Sequence, residues 1–112
     1  MRHILVKVYA DLHPADMACA DSVRRAGGAA MHVDGDPWLF HEGDLLRISF
    51  EGVYFPEEEV LAALEACLPT HARGRVDVLD LEDWELRRYT REDGTFRLSR
   101  RGLNQVLEYS GV

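Results

Sequence analysis

Residues 45–68 read LLRISFEGVYFPEEEVLAALEACL, and this stretch decides the fold class. Over residues 45–51, apolar and polar side chains alternate, which is the pattern of a strand with one buried face. After Pro56 the apolar spacing changes to i, i+3, i+4 and i+7, which predicts a helix. Three glutamates occupy its first turn, where the helix dipole favours anions. A strand therefore leads into an amphipathic helix that packs back onto it.

The chain before this stretch predicts a second strand–helix pair and part of a hairpin. Residues 3–10 alternate, with Ile4 and other apolar side chains inward. Residues 14–26 predict a helix that ends at the glycine pair beginning with Gly27. Residues 29–33, followed by 38–40, predict an interrupted strand that pairs with 45–51.

A further strand at residues 75–81 completes the order β-α-β-β-α-β. This order predicts an α+β fold, a ferredoxin-like sandwich over residues 1–83 in which two helices cover one face of a four-stranded antiparallel sheet. Residues 84–112 extend it within one domain. Since this topology serves many unrelated activities, it does not by itself indicate a function.

The extension contains the strongest turn signal in the chain, Asp93-Gly94 between two alternating segments. A two-residue turn pairs Glu92 with Thr95 and sets the register of the hairpin. Ser99 then suits the N-cap of a short terminal helix. This places a β-hairpin and a helix after the sandwich.

Composition limits the classes of function. The 112 residues are 46% hydrophobic, enough for a real core, and carry a net charge of −7, which disfavours non-specific binding to nucleic acid. No apolar run reaches membrane-spanning length and no signal-peptide pattern opens the chain, so a cytoplasmic protein is expected. Cys19 and Cys67 lie on apolar helix faces and are expected to be buried thiols.

The C-terminal quarter has the opposite charge. Residues 1–83 hold 7 basic and 16 acidic residues, whereas residues 84–112 hold 6 basic and 4 acidic residues. The hairpin register places Arg88, Thr90 and Arg97 on one face, and the planar guanidinium suits bidentate contacts with carboxylates or phosphates. The candidate partner-binding residues are Arg87, Arg88, Arg91, Arg97, Arg100 and Arg101.

The leading interpretation is a non-catalytic binding or regulatory domain that acts through protein–protein contact or self-association. The sheet face without helices exposes Leu5, Tyr9 and Leu45, which favours a homo-oligomer, most simply a dimer. The arginines would contact an acidic protein partner, for example residues 34–44 of a second subunit. In the competing arrangement, the C-terminal hairpin and helix cover that face within the same chain.

Residues 86–111, LRRYTREDGTFRLSRRGLNQVLEYSG, resemble the wing and last helix of winged-helix DNA-binding proteins. The resemblance implies DNA binding with the arginine hairpin as the wing. A winged helix also needs a recognition helix between Leu68 and Trp84. Residues 72–84 read ARGRVDVLDLEDW, a strand-like and acidic segment that would repel phosphate.

A small enzyme or metal-binding protein is the remaining alternative, although an enzyme is the less favoured reading and no cofactor is expected. No nucleophile elbow or glycine-rich phosphate loop is present. Residues 32–44 are the densest collection of oxygen and nitrogen ligands, but their spacing matches no established metal motif. The candidate ligands are His32, Asp34, Asp36, His41, Glu42 and Asp44.

Overall fold

A computed structural model describes residues 4–31 and 37–104 of the chain. Its strands pair antiparallel throughout and form one sheet in the order β2-β3-β1-β4-β5-β6. The elements in chain order are β1 Val6–His13, α1 Met17–Met31, β2 Leu39–Glu42, β3 Leu45–Gly52, α2 Glu57–Cys67, β4 Arg73–Asp80, β5 Glu85–Glu92 and β6 Thr95–Gly102.

Both helices pack on the same face of the sheet. Val8 and Leu12 of β1 are buried with Val23 of α1 and Leu64 of α2 in one hydrophobic core. The alternate residues of β1, including Tyr9, are exposed on the face that neither helix covers, hereafter the uncovered face. This arrangement confirms an α+β fold with two helices on one side of an antiparallel sheet.

The sheet is larger than the four strands predicted, because the two strands of the predicted C-terminal hairpin belong to the same sheet. β5 pairs with β4 from Gly74↔Arg91 to Asp80↔Glu85, and the sheet therefore has six strands. Since the hairpin extends the edge of the sheet, it does not fold over the uncovered face. None of the helices in the described parts of the chain is long and apolar enough to cross a membrane.

Helix α1 begins and ends later than predicted. Asp16 caps its start, because the Asp16 Oδ1 atom accepts a hydrogen bond of 2.8 Å from the Cys19 N–H. Gly27 lies inside the helix, where a Cβ atom would stand 2.5 Å from the Trp38 ring. The glycine therefore permits a close approach and does not end the helix. Residues 29–31, predicted as a strand, are helical, whereas 32–36 lie outside the described residues.

The two cysteines are bonded to each other, contrary to the prediction of free thiols. Cys19 of α1 and Cys67 of α2 form a disulfide with a Cα–Cα distance of 5.1 Å. Each cysteine lies on the apolar stripe of its helix, as predicted. Because both helices pack side by side on one face, the two stripes meet.

The hairpin register was predicted correctly from its turn. Glu92 pairs with Thr95 and Tyr89 with Leu98. Ser99, however, lies within β6 and caps no helix. The predicted terminal helix falls largely on residues 105–112, outside the described part of the chain.

Candidate functional site

The six candidate arginines do not form one surface, because the alternation of β5 and β6 divides them between the two faces of the sheet. Arg87 is opposite Val78, a core residue, and so points to the helices, whereas Arg88 is opposite Asp77 on the uncovered face. The helix side holds Arg87, Arg91 and Arg100, and the uncovered face holds Arg88, Arg97 and Arg101.

Arg87 is held by carboxylates on three sides. Its Nε and Nη2 atoms donate to the two Glu57 carboxylate oxygens at 3.1 and 2.9 Å, and Nη1 donates to Asp80 at 3.0 Å and Glu85 at 2.9 Å. The side chain is only 15% exposed. The hydrogen bonds with Glu57, then those with Glu85 and Asp80, raise the pKa of Arg87 despite partial burial. This arginine therefore fastens β5 to the first turn of α2 and is not free to bind a partner.

The contacts around Arg87 also shift the pKa values of the neighbouring Tyr89 and Asp80 side chains. Burial, together with a short hydrogen bond from the Tyr89 hydroxyl to Glu57, raises the pKa of Tyr89 to about 12. Partial burial of Asp80 opposes its ionisation, but hydrogen bonds from the Asp83 N–H and Arg87 outweigh it and lower the pKa of that carboxyl. A cavity of about 430 Å³ lies in front of this network. Arg87 and Tyr89 therefore keep their protons at neutral pH, and both contact the Glu57 carboxylate of α2 from β5.

Arg91 is the most deeply placed of the six, with 3% of its surface exposed. Its Nη2 atom donates to the carbonyl oxygens of Leu68 and Pro69 at 3.3 and 3.4 Å, and its guanidinium lies 5.2 Å from the centre of the Phe96 ring. It satisfies backbone carbonyls just after α2, where a cation also complements the helix dipole. Arg91 is thus a buried residue that packs at the edge of the hydrophobic core.

The arginines of the uncovered face form a different environment. Arg88 makes two hydrogen bonds to Asp77, at 2.8 and 3.0 Å, and Arg75 lies 3.5 Å from the same carboxylate. Arg97 and Arg101 are exposed on β6 and make no ion pair among the described residues. We call the arginines on this part of the face, Arg73, Arg75, Arg88, Arg97 and Arg101, the arginine patch.

The patch carries five arginines against two carboxylates, Asp77 and Glu92, on the same three strands. Sequence reasoning missed Arg73 and Arg75 as members. The signal was present, since both lie in one phase of the β4 alternation and Val76 and Val78 lie in the other. Assigning these two arginines to the patch required knowing that β4 is the neighbour of β5.

The candidate metal ligands are only partly described. His32, Asp34 and Asp36 lie outside the described residues. The His41 Nε2 atom lies 2.7 Å from the Ala15 carbonyl oxygen, and Asp44 pairs with His13 at 2.9 Å. Within residues 4–31 and 37–104, no group of three or more His, Cys, Asp or Glu side chains is arranged to hold a metal ion.

The winged-helix resemblance is limited to the hairpin. Between Leu68 and Trp84, where a recognition helix would be needed, the structure has strand β4, Arg73–Asp80. The hairpin is therefore an edge of a sheet and not a wing beside a helix–turn–helix.

Comparisons with protein-family models, with curated proteins and with solved structures gave no significant match to this chain.

Proposed function

We propose that this chain is a non-catalytic binding domain whose arginine patch binds an acidic protein partner. One observation carries the proposal: Arg97 and Arg101 are exposed on the uncovered face of the sheet, and no carboxylate of the described residues forms an ion pair with them. In a protein of net charge −7, a patch of five arginines with only two carboxylates on the same strands is a surface suited to an anionic ligand.

The strand registers give the patch a regular geometry. Arg75, Thr90 and Arg97 lie directly across from one another on β4, β5 and β6. With strands about 4.8 Å apart, the two arginines are separated by roughly 10 Å, and the Thr90 hydroxyl lies between them. Arginines that start from backbone positions at this spacing, with a threonine between them, suit two acidic side chains of one polypeptide.

The rest of the uncovered face favours a protein over nucleic acid. On β1 and β3, Asp11 pairs with Arg47, and Glu51 accepts a hydrogen bond from Tyr9. Positive charge therefore does not continue across the sheet. A nucleic-acid backbone requires a longer positive track, because each phosphate contact adds to affinity.

The experiment uses the full chain and a double charge reversal, Arg97→Glu with Arg101→Glu. Both side chains are exposed, so the fold should tolerate the change. The control is Arg24→Glu with Arg25→Glu, two exposed arginines on α1, which makes the same change in net charge on the helix side. The probes are labelled poly-L-glutamate and a short labelled DNA duplex, measured by fluorescence anisotropy at about 0.15 M salt.

Binding of poly-L-glutamate that the patch variant loses and the control retains is the expected result. Tighter binding to the duplex than to the polypeptide would reassign the patch to nucleic acid. An equal loss in both variants would mean that net charge alone is responsible, and the proposal would be wrong. The absence of any binding by the parent chain would also show that the proposal is wrong.

We also infer that the part of the chain from β1 to β4 is a ferredoxin-like unit to which the hairpin adds two edge strands. The order β2-β3-β1-β4 within the sheet and the two helices on one side support this inference. The hairpin then adds Arg88, Arg97 and Arg101 beside the β4 arginines and so completes the arginine patch.

A further inference from the structure

The outer edge of β6 is a second surface, which presents backbone groups, whereas the arginine patch consists of side chains on the uncovered face. β6 is the last strand of the sheet, and no strand of the described residues pairs with its outer side. Its register with β5 is one-to-one from Thr95 to Gly102, without a bulge, and it contains no proline. A long and regular edge of this kind presents unpaired N–H and C=O groups that a further strand can use.

The turn indicates which backbone groups point outward. A two-residue turn makes Glu92 and Thr95 a hydrogen-bonded pair, so alternate residues of β6 bond to β5. The backbone groups of Phe96, Leu98 and Arg100 then face away from β5. The edge therefore offers donors and acceptors at these three residues.

An apolar groove of about 330 Å³ lies between this edge and α2. Leu61 of α2 and Phe96 and Leu98 of β6 line it, and Glu58 and Glu65 stand at its rim. Leu98 is 45% exposed there. The groove thus combines an apolar floor with an acidic border.

We propose that a second copy of this chain occupies the edge and groove, with β6 pairing antiparallel to β6 of the second copy about a twofold axis at Leu98. In this register Phe96 faces Arg100 of the second copy, and Arg97 faces Ser99 of the second copy. Thr95 faces Arg101 of the second copy. Every arginine of β6 is therefore opposite a neutral residue.

The arginines select this register from the alternatives. If the axis lay at Arg97 or Arg100, that arginine would face its own copy. An axis at Ser99 would set Arg97 against Arg101 of the second copy. Like charges directly opposite each other destabilise a strand pair. Arginines on this edge therefore do not forbid pairing: they penalise axes at Arg97, Ser99 and Arg100, and an axis at Phe96 would pair only residues 95–97 of β6 with the second copy.

Charge complementarity supports the same occupant. Arg100 is 62% exposed, and among the described residues its nearest carboxylate is Glu85 at 3.9 Å. In the proposed dimer Arg100 lies beside Phe96 of the second copy, at the groove bordered by Glu58 and Glu65. A guanidinium there gains an aromatic face and an acidic surrounding, and the twofold axis makes the contact twice.

The dimer has a consequence for ligand binding. Two six-stranded sheets joined at β6 form one continuous sheet, with both uncovered faces on the same side. The two arginine patches then lie next to each other across the axis. A partner with two acidic segments would bind both, which raises its overall affinity by effective concentration.

The first test measures the mass of the full chain by sedimentation velocity at increasing concentration. A dimer is expected at about 100 µM. Leu98→Pro removes an N–H that points outward, so it should leave the hairpin intact and weaken the dimer at least about tenfold. Leu98→Val keeps the N–H and should retain the dimer. A parent chain that stays monomeric throughout, or a dimer that Leu98→Pro leaves unchanged, would overturn the proposal.

The second test addresses the register and does not depend on whether the proline variant folds. Because both native cysteines are bonded, an introduced cysteine is the single free thiol. Leu98→Cys should give a covalent dimer on mild oxidation, whereas Arg101→Cys should not. Arg100→Glu should weaken association, and combining it with Glu58→Arg and Glu65→Arg should restore it. Preferential crosslinking through position 101, or no restoration by the charge swap, would refute the register.

Failure of this dimer leaves the arginine patch untouched, since Leu98 and Arg100 belong to the edge and the helix side. Conversely, a patch that binds no acidic polypeptide does not affect the pairing of β6. The two proposals are therefore separable by experiment.

Discussion

The disulfide between α1 and α2 makes a quantitative prediction about stability. It joins Cys19 and Cys67 across a sequence separation of 48 residues. In the chain-entropy account, a loop of this length removes about 4 kcal/mol of denatured-state entropy at 25 °C, and measured disulfides more commonly contribute about 2–4 kcal/mol. We therefore expect reduction to lower the free energy of unfolding by about 2–4 kcal/mol.

The assay is urea denaturation of the full chain, followed by tryptophan fluorescence, with and without a strong reductant. The control is the double variant Cys19→Ser with Cys67→Ser, which should be destabilised without reductant and should not respond to it. A parent chain that loses less than about half a kcal/mol on reduction would refute a disulfide that restrains the unfolded chain. A titration of thiols in the unfolded, unreduced protein then shows whether the bond is present. Because disulfides persist chiefly under oxidising conditions, the presence of this bond also tests the expected cytoplasmic location.

Three further predictions concern the core and the network around Glu57. Gly27→Ala would force a methyl group against the Trp38 ring, and we expect a loss of about 1–3 kcal/mol in urea denaturation; an unchanged midpoint would contradict the close packing of α1. Leu64→Ala removes a fully buried side chain and should cost about 2–5 kcal/mol, whereas a loss below about half a kcal/mol would contradict the placement of α2. The pKa of Tyr89, about 12, is higher than that of an unfolded tyrosine, so its stabilising contribution should be complete below about pH 10 and be lost as pH rises to about 12. Tyr89→Phe should remove a late step of the ultraviolet tyrosine titration and flatten the fall in stability over that range; loss of a step at about pH 10 instead would contradict the raised pKa of Tyr89.

Local patterns in the sequence predicted several elements well. The period-2 alternation at 45–51 and the helical spacing after Pro56 correspond to β3 and α2. Asp93-Gly94 predicted both the hairpin and its register, because a two-residue turn allows only one way of pairing the strands. In these cases neighbouring residues carry all of the relevant information.

Glycine and cysteine were misread because their roles depend on distant residues. Gly27 reads locally as a helix end, but the Trp38 ring lies where its side chain would be. Cys19 and Cys67 each read as an apolar helix residue, and only the packing of α1 beside α2 brings the sulfur atoms together. Periodicity assigns a residue to one face of its own element and does not say what that face contacts.

The sequence by itself determined the class of fold, the alternation of β5 and β6, and the concentration of arginine near the C-terminus. Only the tertiary structure decided which arginines are available. Arg87 and Arg91 are used within the fold because α2 and the residues after it lie over one face of the hairpin. Arg97 remains on the other face, where β4 adds Arg75 across Thr90. The physical reason is that contacts between residues far apart in the chain decide which strands are neighbours and which face a helix covers. The charge pattern, in contrast, can be read directly from the order of the residues.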